Sequence, residues 1–189
     1  QVKLARVYRD AGCLDVAIAL FESVFSQFQK VLGRTNPITL ASGNSLASAY
    51  RQGQRYDDAI ALYKDTRAYY AKKFGMLHPN TLVTQNDLAD TYQAAARFDE
   101  AIALHGQTLD DRLRVLGPDH PHTLASRDNL AGAYYAAGRF SDAIALYKEA
   151  VAERLRVLGP DHPSTLTSRN NLASAYQAVG CLDDAIPLL

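Results

Sequence analysis

The sequence predicts an all-α solenoid made of antiparallel helix hairpins that stack one upon the next. The first observation behind this prediction is a repeat of 42 residues, seen in the Leu-Ala pair at 4–5, 46–47, 88–89, 130–131 and 172–173. The second is that apolar residues recur at helical spacing within each repeat. A fixed period of this size is typical of arrays in which each unit buries its apolar face against its neighbour.

One array is predicted for the whole chain, residues 1–189. Because the first and last units are incomplete, we expect the natural protein to carry further repeats or domains at both ends. The units are 1–38 (partial), 39–80, 81–122, 123–164 and 165–189 (partial).

The first helix of a unit is illustrated by residues 123–137. Gly138 ends it, because glycine adopts a positive φ more readily than other residues. Ala131, in this helix, and Ala143, in the next, are predicted to lie where the two helices cross closely. A bulky side chain at either place should cost on the order of 2 kcal/mol through overpacking.

The second helix of the same unit is predicted over 140–158. Its basic residues Arg154 and Arg156 lie near its end, where the helix dipole favours positive charge. Gly159 ends this helix. Pro163 opens the next one, at a position where a missing N–H costs nothing.

Repeats 2 and 3 depart from the pattern at the turn between their helices. Repeat 2 has Gly53 one place early, followed by Gln54, and repeat 3 has only alanines there, Ala94–Ala96. Alanine in a left-handed turn costs roughly 1 kcal/mol relative to glycine. Gly106, inside the second helix of repeat 3, adds a similar cost. We therefore expect repeat 3 to be the least stable of the repeats.

The composition argues against two classes of partner. Lys and Arg number 20 and so do Asp and Glu, which leaves no net charge. Nucleic acids and anionic membranes both need a basic surplus, so neither is expected as a partner. The longest apolar run, Val16–Phe21, is far too short to span a bilayer.

The two cysteines indicate a reducing compartment. Cys13 and Cys181 occupy the same repeat position in the first and last units, so a stacked array holds them too far apart for a disulfide. Free thiols are typical of cytoplasmic proteins, and a cytoplasmic location is expected.

A specific signature runs through the repeats. In repeat 4 it reads Leu-Ala-x-x-Tyr from Leu130, then Gly138, then Ala-Ile-x-Leu-Tyr from Ala143. It resembles the tetratricopeptide repeat (TPR). The 42-residue period and the linker Val-Leu-Gly-Pro-Asp-His-Pro-x-Thr-Leu, at 115–124 and 157–166, resemble the kinesin-light-chain type in particular. The resemblance implies a right-handed superhelix that binds proteins. Similar arrays occur in bacterial multidomain signalling proteins, often beside a nucleotide-switching ATPase.

The resemblance also implies where a ligand would bind. In TPR arrays the first helices of the repeats line a concave groove. Counted from the Leu of the Leu-Ala pair, the groove-facing residues lie two positions before it and two and five positions after it. The residue one position before the Leu borders the groove. The predicted groove residues are Asn44, Ser48, Arg51, Asn86, Asp90, Gln93, Asp128, Asn129, Tyr135, Asn170, Asn171 and Ser174. Amide side chains offer both a donor and an acceptor, so the asparagines could hold the backbone of an extended peptide. Alternatively, they stabilise the packing between repeats or a helix start.

Charge is unevenly distributed along the predicted groove. The first part is basic and the middle acidic, which predicts a ligand with an acidic stretch facing repeats 1–2 and a basic or amide-rich stretch facing repeats 3–4. The alternative is an ordinary solvated face. The basic residues are Lys3, Arg6, Arg9 and Arg51, and the acidic ones are Asp87, Asp90 and Asp128.

No catalytic chemistry is predicted. His78, His120 and His162 recur before a proline, and a helix cap explains them better than a metal or a general base. We expect no enzyme activity, cofactor or metal. The predicted function is a scaffold that binds a protein or peptide segment. The alternative is a ligand-sensing regulatory domain of a larger signalling ATPase, with an autoinhibitory or oligomerisation role and other domains of the same polypeptide as partners.

Overall fold

A computed structural model of the chain describes residues 2–188, and this part of the chain is helical and contains no strand. The predicted all-α fold class is therefore confirmed. A short 3₁₀ helix, Ile186–Leu188, follows the last α-helix. The α-helices are α1 (Val2–Asp10), α2 (Leu14–Leu32), α3 (Pro37–Gln52), α4 (Tyr56–Phe74), α5 (Pro79–Ala94), α6 (Phe98–Leu116), α7 (Pro121–Ala136), α8 (Phe140–Leu158), α9 (Pro163–Ala178) and α10 (Leu182–Ala185).

The helices form two compact units, with α1–α5 in unit 1 and α6–α10 in unit 2. Within each unit every helix packs against the next one along the chain. The first helices of successive repeats also contact each other, α3 with α5 in unit 1 and α7 with α9 in unit 2. Among the described residues, no helix combines the length and the apolar character that crossing a membrane requires.

The first helices begin in the same way in four repeats. A proline occupies the first helical position, and the preceding side chain accepts a hydrogen bond from the backbone N–H two residues later. Asn36 uses Oδ1 at 2.9 Å, and His78, His120 and His162 use Nδ1 at 3.2, 3.1 and 3.1 Å. The predicted capping role of the histidines is confirmed. Because the caps lie in the linkers, α7 begins at Pro121, two residues before the predicted start.

The turns between the helices of a hairpin keep one conformation whatever residue they contain. Gly138 has φ 73°, as predicted. Gln54 has φ 58° and Ala96 has φ 57°, so both adopt the left-handed region that favours glycine. The predicted strain in repeats 2 and 3 therefore falls on these two residues.

Small and aromatic side chains form the core of each unit. In unit 2, Ala131 and Ala143 are both fully buried, as predicted for a close helix crossing, and Tyr147 packs with them. In unit 1, Ala17 and Phe21 occupy the corresponding places in α2 and are also buried. At this position the second helices of repeats 1, 2 and 4 contribute the rings of Phe21, Tyr63 and Tyr147 to the core, and His105 takes the place in repeat 3.

Candidate binding faces on the first helices

The predicted groove residues lie on the first helices of the repeats, in two sets, one within each unit. The unit 1 face comprises the candidate side chains of α3 and α5. The unit 2 face comprises those of α7 and α9. The unit 1 face contains Asn44, Ser48, Arg51, Asn86, Asp90 and Gln93, and the unit 2 face contains Asp128, Asn129, Tyr135, Asn170, Asn171 and Ser174.

In unit 1, Asn44 links two repeats. Its Nδ2 donates a 2.7 Å hydrogen bond to Oγ1 of Thr84, which joins α3 to α5. Thr84 in turn donates to the backbone oxygen of Asn80 at 2.8 Å. The Asn44 Oδ1 is buried and accepts no hydrogen bond from the described residues. At this position the amide supports packing between repeats, which is the alternative interpretation of the asparagine column.

A buried tyrosine hydroxyl lies beneath the unit 1 face. Burial raises the pKa of Tyr63 above its ordinary value; the charge of Asp87 raises it further, and Arg51 lowers it. Ser48 and Asp90 also act on this hydroxyl, so the structure brings these predicted residues together around it. The sequence indicated only an aromatic core residue at this position. The 42-residue period gave no sign that the hydroxyl of this residue would interact with the residues of the face.

Two side chains on the unit 1 face are held by neighbours. Nδ2 of Asn86 donates to Oδ2 of Asp90 at 3.1 Å, one turn along α5. Nε of Arg51 is buried without a hydrogen-bond partner among the described residues. Ser48, Arg51, Asp90 and Gln93 are all half-buried. The unit 1 face is therefore polar but only partly open to solvent.

In unit 2, Asp128 corrects the predicted charge pattern. Its carboxylate forms an ion pair with the guanidinium of Arg154 and accepts hydrogen bonds from Oγ of Ser168 at 2.9 and 3.1 Å. The Asp128 and Arg154 side chains are only 14% and 10% exposed. Burial raises the pKa of Asp128, whereas the charge of Arg154 and the hydrogen bond from Ser168 lower it.

Asp128 consequently adds no free negative charge to the unit 2 face. The prediction that it helps to make the middle of the groove acidic is wrong, because α8 supplies a counter-ion. Arg154 was assigned to the helix dipole, yet it lies buried against α7. Asn44 and Asp128 occupy the same repeat position, and each bonds a hydroxyl 40 residues later along the chain.

The accessible part of the unit 2 face is formed by other residues. Asn170, Ser174 and Tyr135 are exposed, while Asn129 and Asn171 are half-buried. Oγ of Ser174 donates to the backbone oxygen of Asn170 at 2.9 Å. The Tyr135 ring lies edge-on to Phe140, with a centroid distance of 5.4 Å.

Buried below the unit 2 face is Tyr147, which matches Tyr63 of unit 1. Its pKa is raised to about 12, mainly by burial and then by the charges of Asp128 and Tyr135. A Cβ on Gly132 would lie 3.5 Å from the Tyr147 hydroxyl oxygen. The absence of a side chain at Gly132 thus leaves room over this hydroxyl.

The remaining candidates do not form a metal centre. In the part of the chain that the structure describes, no three His, Cys, Asp or Glu side chains come close enough to hold a metal ion. Cys13 and Cys181 are both free and exposed.

Comparison with known proteins identifies the family. Two family models described as tetratricopeptide repeat match residues 1–72, 39–114 and 80–154, and residues 129–189. The chain belongs to the tetratricopeptide repeat family. Comparison with curated protein sequences gives no significant match.

Solved structures of TPR proteins refine this assignment. A predicted kinesin light chain from Podosopora anserina, with nearly identical TPR-like repeats, is 37% identical, with a TM-score of 0.87 over 100% of this chain and 89% of its own. BtubC (BKLC) from P. vanneervenii is 21% identical, with a TM-score of 0.82 over 98% of this chain and 74% of its own. A Rap protein complexed with competence and sporulation factor is 12% identical, with a TM-score of 0.74 over 97% of this chain and 49% of its own. The last two show the shared fold alone, and the first supports the kinesin-light-chain-like type.

Proposed function

We propose that this TPR array binds a polypeptide segment along its unit 1 and unit 2 faces and acts as a protein-interaction scaffold. The observation that carries the proposal is that the first helices of neighbouring repeats lie side by side and present amide, hydroxyl and guanidinium groups there. Such groups pair with the backbone of an extended chain, which offers a donor and an acceptor at nearly every residue.

Fixed side chains favour binding at these faces. Asn86 is oriented by its hydrogen bond to Asp90, and Ser174 by its bond to the backbone of Asn170. A side chain that is already ordered loses less conformational entropy when a ligand arrives. Tyr135 adds an exposed aromatic ring, a residue type that is enriched in protein interfaces.

Two further observations support the proposed function and a location for it in the cell. The TPR proteins that resemble this chain include a Rap protein solved with competence and sporulation factor, whose structure shares the fold. The free, exposed thiols of Cys13 and Cys181 suit a reducing compartment, and we propose a cytoplasmic location for the complex.

A peptide selection followed by affinity measurements tests this function. Peptides selected from a random display library on the immobilised chain are labelled, and their Kd is measured by fluorescence anisotropy. We expect Gln93→Ala or Asn171→Ala to weaken binding by about threefold to tenfold, because each removes side-chain hydrogen bonds.

The matched control is Gln107→Ala, which removes the same type of group from an exposed position on α6, outside both faces. It should leave the Kd unchanged. Equal losses in control and face variants of the same melting temperature would contradict the proposal, as would a peptide that both face variants bind as tightly as the parent.

A further inference from the structure

Unit 1 contains a cavity between the second helices of repeats 1 and 2. Its volume is about 140 Å³, and an adjoining depression of about 340 Å³ shares several of its walls. One water molecule needs roughly 10–15 Å³ of such space, so the cavity has room for a side-chain head group. Its walls include Phe25 of α2, Leu40 of α3, and Leu62, Asp65 and Tyr69 of α4.

The equivalent place in unit 2 is occupied by a guanidinium. Residue 43 corresponds to Arg127, 84 residues later, and 65 and 69 correspond to Glu149 and Glu153. Arg127 is 9% exposed. Its Nε lies 3.8 Å from Oε2 of Glu149, and its Nη1 contacts Oε1 of Glu153. Repeat 4 thus fills this position with an arginine of its own, held by carboxylates of the second helix.

Repeat 2 lacks that arginine because residue 43 is glycine. A Cβ on Gly43 would lie 3.1 Å from Cε2 of Phe25 and 3.1 Å from Oγ1 of Thr66. The Phe25 ring therefore takes the space where the side chain would start, while the space farther out stays open as the cavity. Around Arg127 the corresponding residues are the smaller Leu109, from repeat 3, and Ala150, from repeat 4.

Asp65 retains the carboxylate, but position 43 supplies no arginine to pair with it. It is exposed, and no residue in the described part of the chain forms an ion pair with it. Arg34 lines the same cavity but makes no ion pair with Asp65 there. A carboxylate beside an apolar cavity favours a ligand that is cationic at its end and apolar along its stem.

We propose that this cavity binds an arginine side chain of a partner polypeptide. The guanidinium would pair with Asp65 and stack on the rings of Phe25 and Tyr69, an arrangement that arginine favours over lysine because its head is planar. Its methylene groups would lie against Leu40 and Leu62. The site lies mainly between the second helices and uses none of the residues of the unit 1 and unit 2 faces, so it goes beyond the proposed peptide binding there.

Nuclear magnetic resonance titration tests the site with two matched probes. The probes are the peptide acetyl-Ala-Leu-Arg-Leu-Ala-amide and the same peptide with citrulline, a neutral isostere, in place of arginine. We expect the arginine peptide to shift the resonances of Phe25, Asp65 and Tyr69 and to bind about tenfold more tightly than the citrulline peptide. Asp65→Asn should remove this preference. Glu149→Gln, which alters the corresponding acid in the occupied position of repeat 4, should retain it.

A second variant closes the cavity from within. Replacing Phe25→Leu, Gly43→Arg and Thr66→Ala together copies Leu109, Arg127 and Ala150 but keeps Tyr69 where repeat 4 has Glu153. We expect the variant to lose peptide binding while its melting temperature stays at or above that of the parent. Equal affinity for both peptides, or a preference for arginine that survives Asp65→Asn, would overturn the proposal. If the parent chain forms a dimer that Asp65→Asn dissociates, the site binds a second copy of this chain. That result would overturn the proposal of a separate partner polypeptide.

Discussion

A buried histidine makes the stability of the chain depend on pH. His105 in α6 is 1% exposed, and burial, assisted by the charge of Arg112, lowers its pKa to about 4. Between pH 6.5 and pH 4 the unfolded chain binds a proton that the folded chain does not, so the free energy of unfolding falls as the pH falls. The loss from pH 7 to pH 4 should reach roughly 3 kcal/mol.

The measurement for His105 is urea unfolding at pH 7 and pH 4.5, for the parent and for His105→Phe. We expect the variant to lose less stability on acidification, because Phe fills the core position as Phe21 does in repeat 1 and cannot take a proton. The control is His162→Asn, which changes an exposed capping histidine into the cap that Asn36 provides in repeat 2. Identical pH dependence in the parent and His105→Phe would disprove the assignment.

Single residues also show why the face could be predicted only in part. The 42-residue period located the candidate positions, and the structure brings Ser48, Arg51 and Asp90 together around one hydroxyl. The period could not show that Asp128 is paired, because Arg154 comes from another helix and its contact depends on side-chain packing. Whether the faces bind a peptide stays a prediction.

At the level of elements, we expect the left-handed turns of repeats 2 and 3 to lower the stability of the chain. Ala96 has φ 57° where repeats 1, 4 and 5 have glycine, and Gly106 lies in the interior of α6 with open space where a Cβ would point. Ala96→Gly and Gly106→Ala should each raise the free energy of unfolding by up to about 1 kcal/mol. Gly138→Ala, the matched change in an unstrained turn, should lower it by a similar amount.

Chemical denaturation measures these three changes, and hydrogen exchange locates their effect. If repeat 3 is the least stable repeat, the amides of residues 81–116 should exchange faster than those of residues 123–158 in the parent. Ala96→Gly and Gly106→Ala together should reduce the difference. Equal protection of both segments in the parent would show that repeat 3 is not less stable than repeat 4. A neutral Ala96→Gly would show that the left-handed turn is not strained.

The helices themselves were the most predictable elements. The second helix of repeat 4 spans 140–158 as predicted, because its acidic start, apolar stripe and terminal Gly159 all agree. The start of α7 was misplaced by two residues, since the capping function of His120 extends the helix into what the sequence presents as a linker. The cavity beside Asp65 was not predicted, because it arises from Gly43, a residue with no chemistry of its own.

For the whole molecule, the absence of net charge conceals two halves of opposite sign. Residues 1–95 hold eleven Lys and Arg against eight Asp and Glu, and residues 96–189 hold nine against twelve. Because Asp128 is paired with Arg154, the middle of the predicted groove is less acidic than expected. The difference in net charge between residues 1–95 and residues 96–189 remains. Fields from such distributions steer charged ligands and weaken as salt is added.

We therefore expect a ligand to bind with its acidic part against residues 1–95 and its basic part against residues 96–189. A peptide with an acidic half and a basic half, carrying a photo-cross-linker at its acidic end, should label the first half of the chain, and labelling should fall when salt rises from about 0.05 M to about 0.5 M. The peptide of reversed order, labelled at the same terminus, is the matched control and should label residues 96–189. Labelling that follows the peptide terminus rather than its charge would show that backbone contacts, not the charge of the two halves, set the direction of binding.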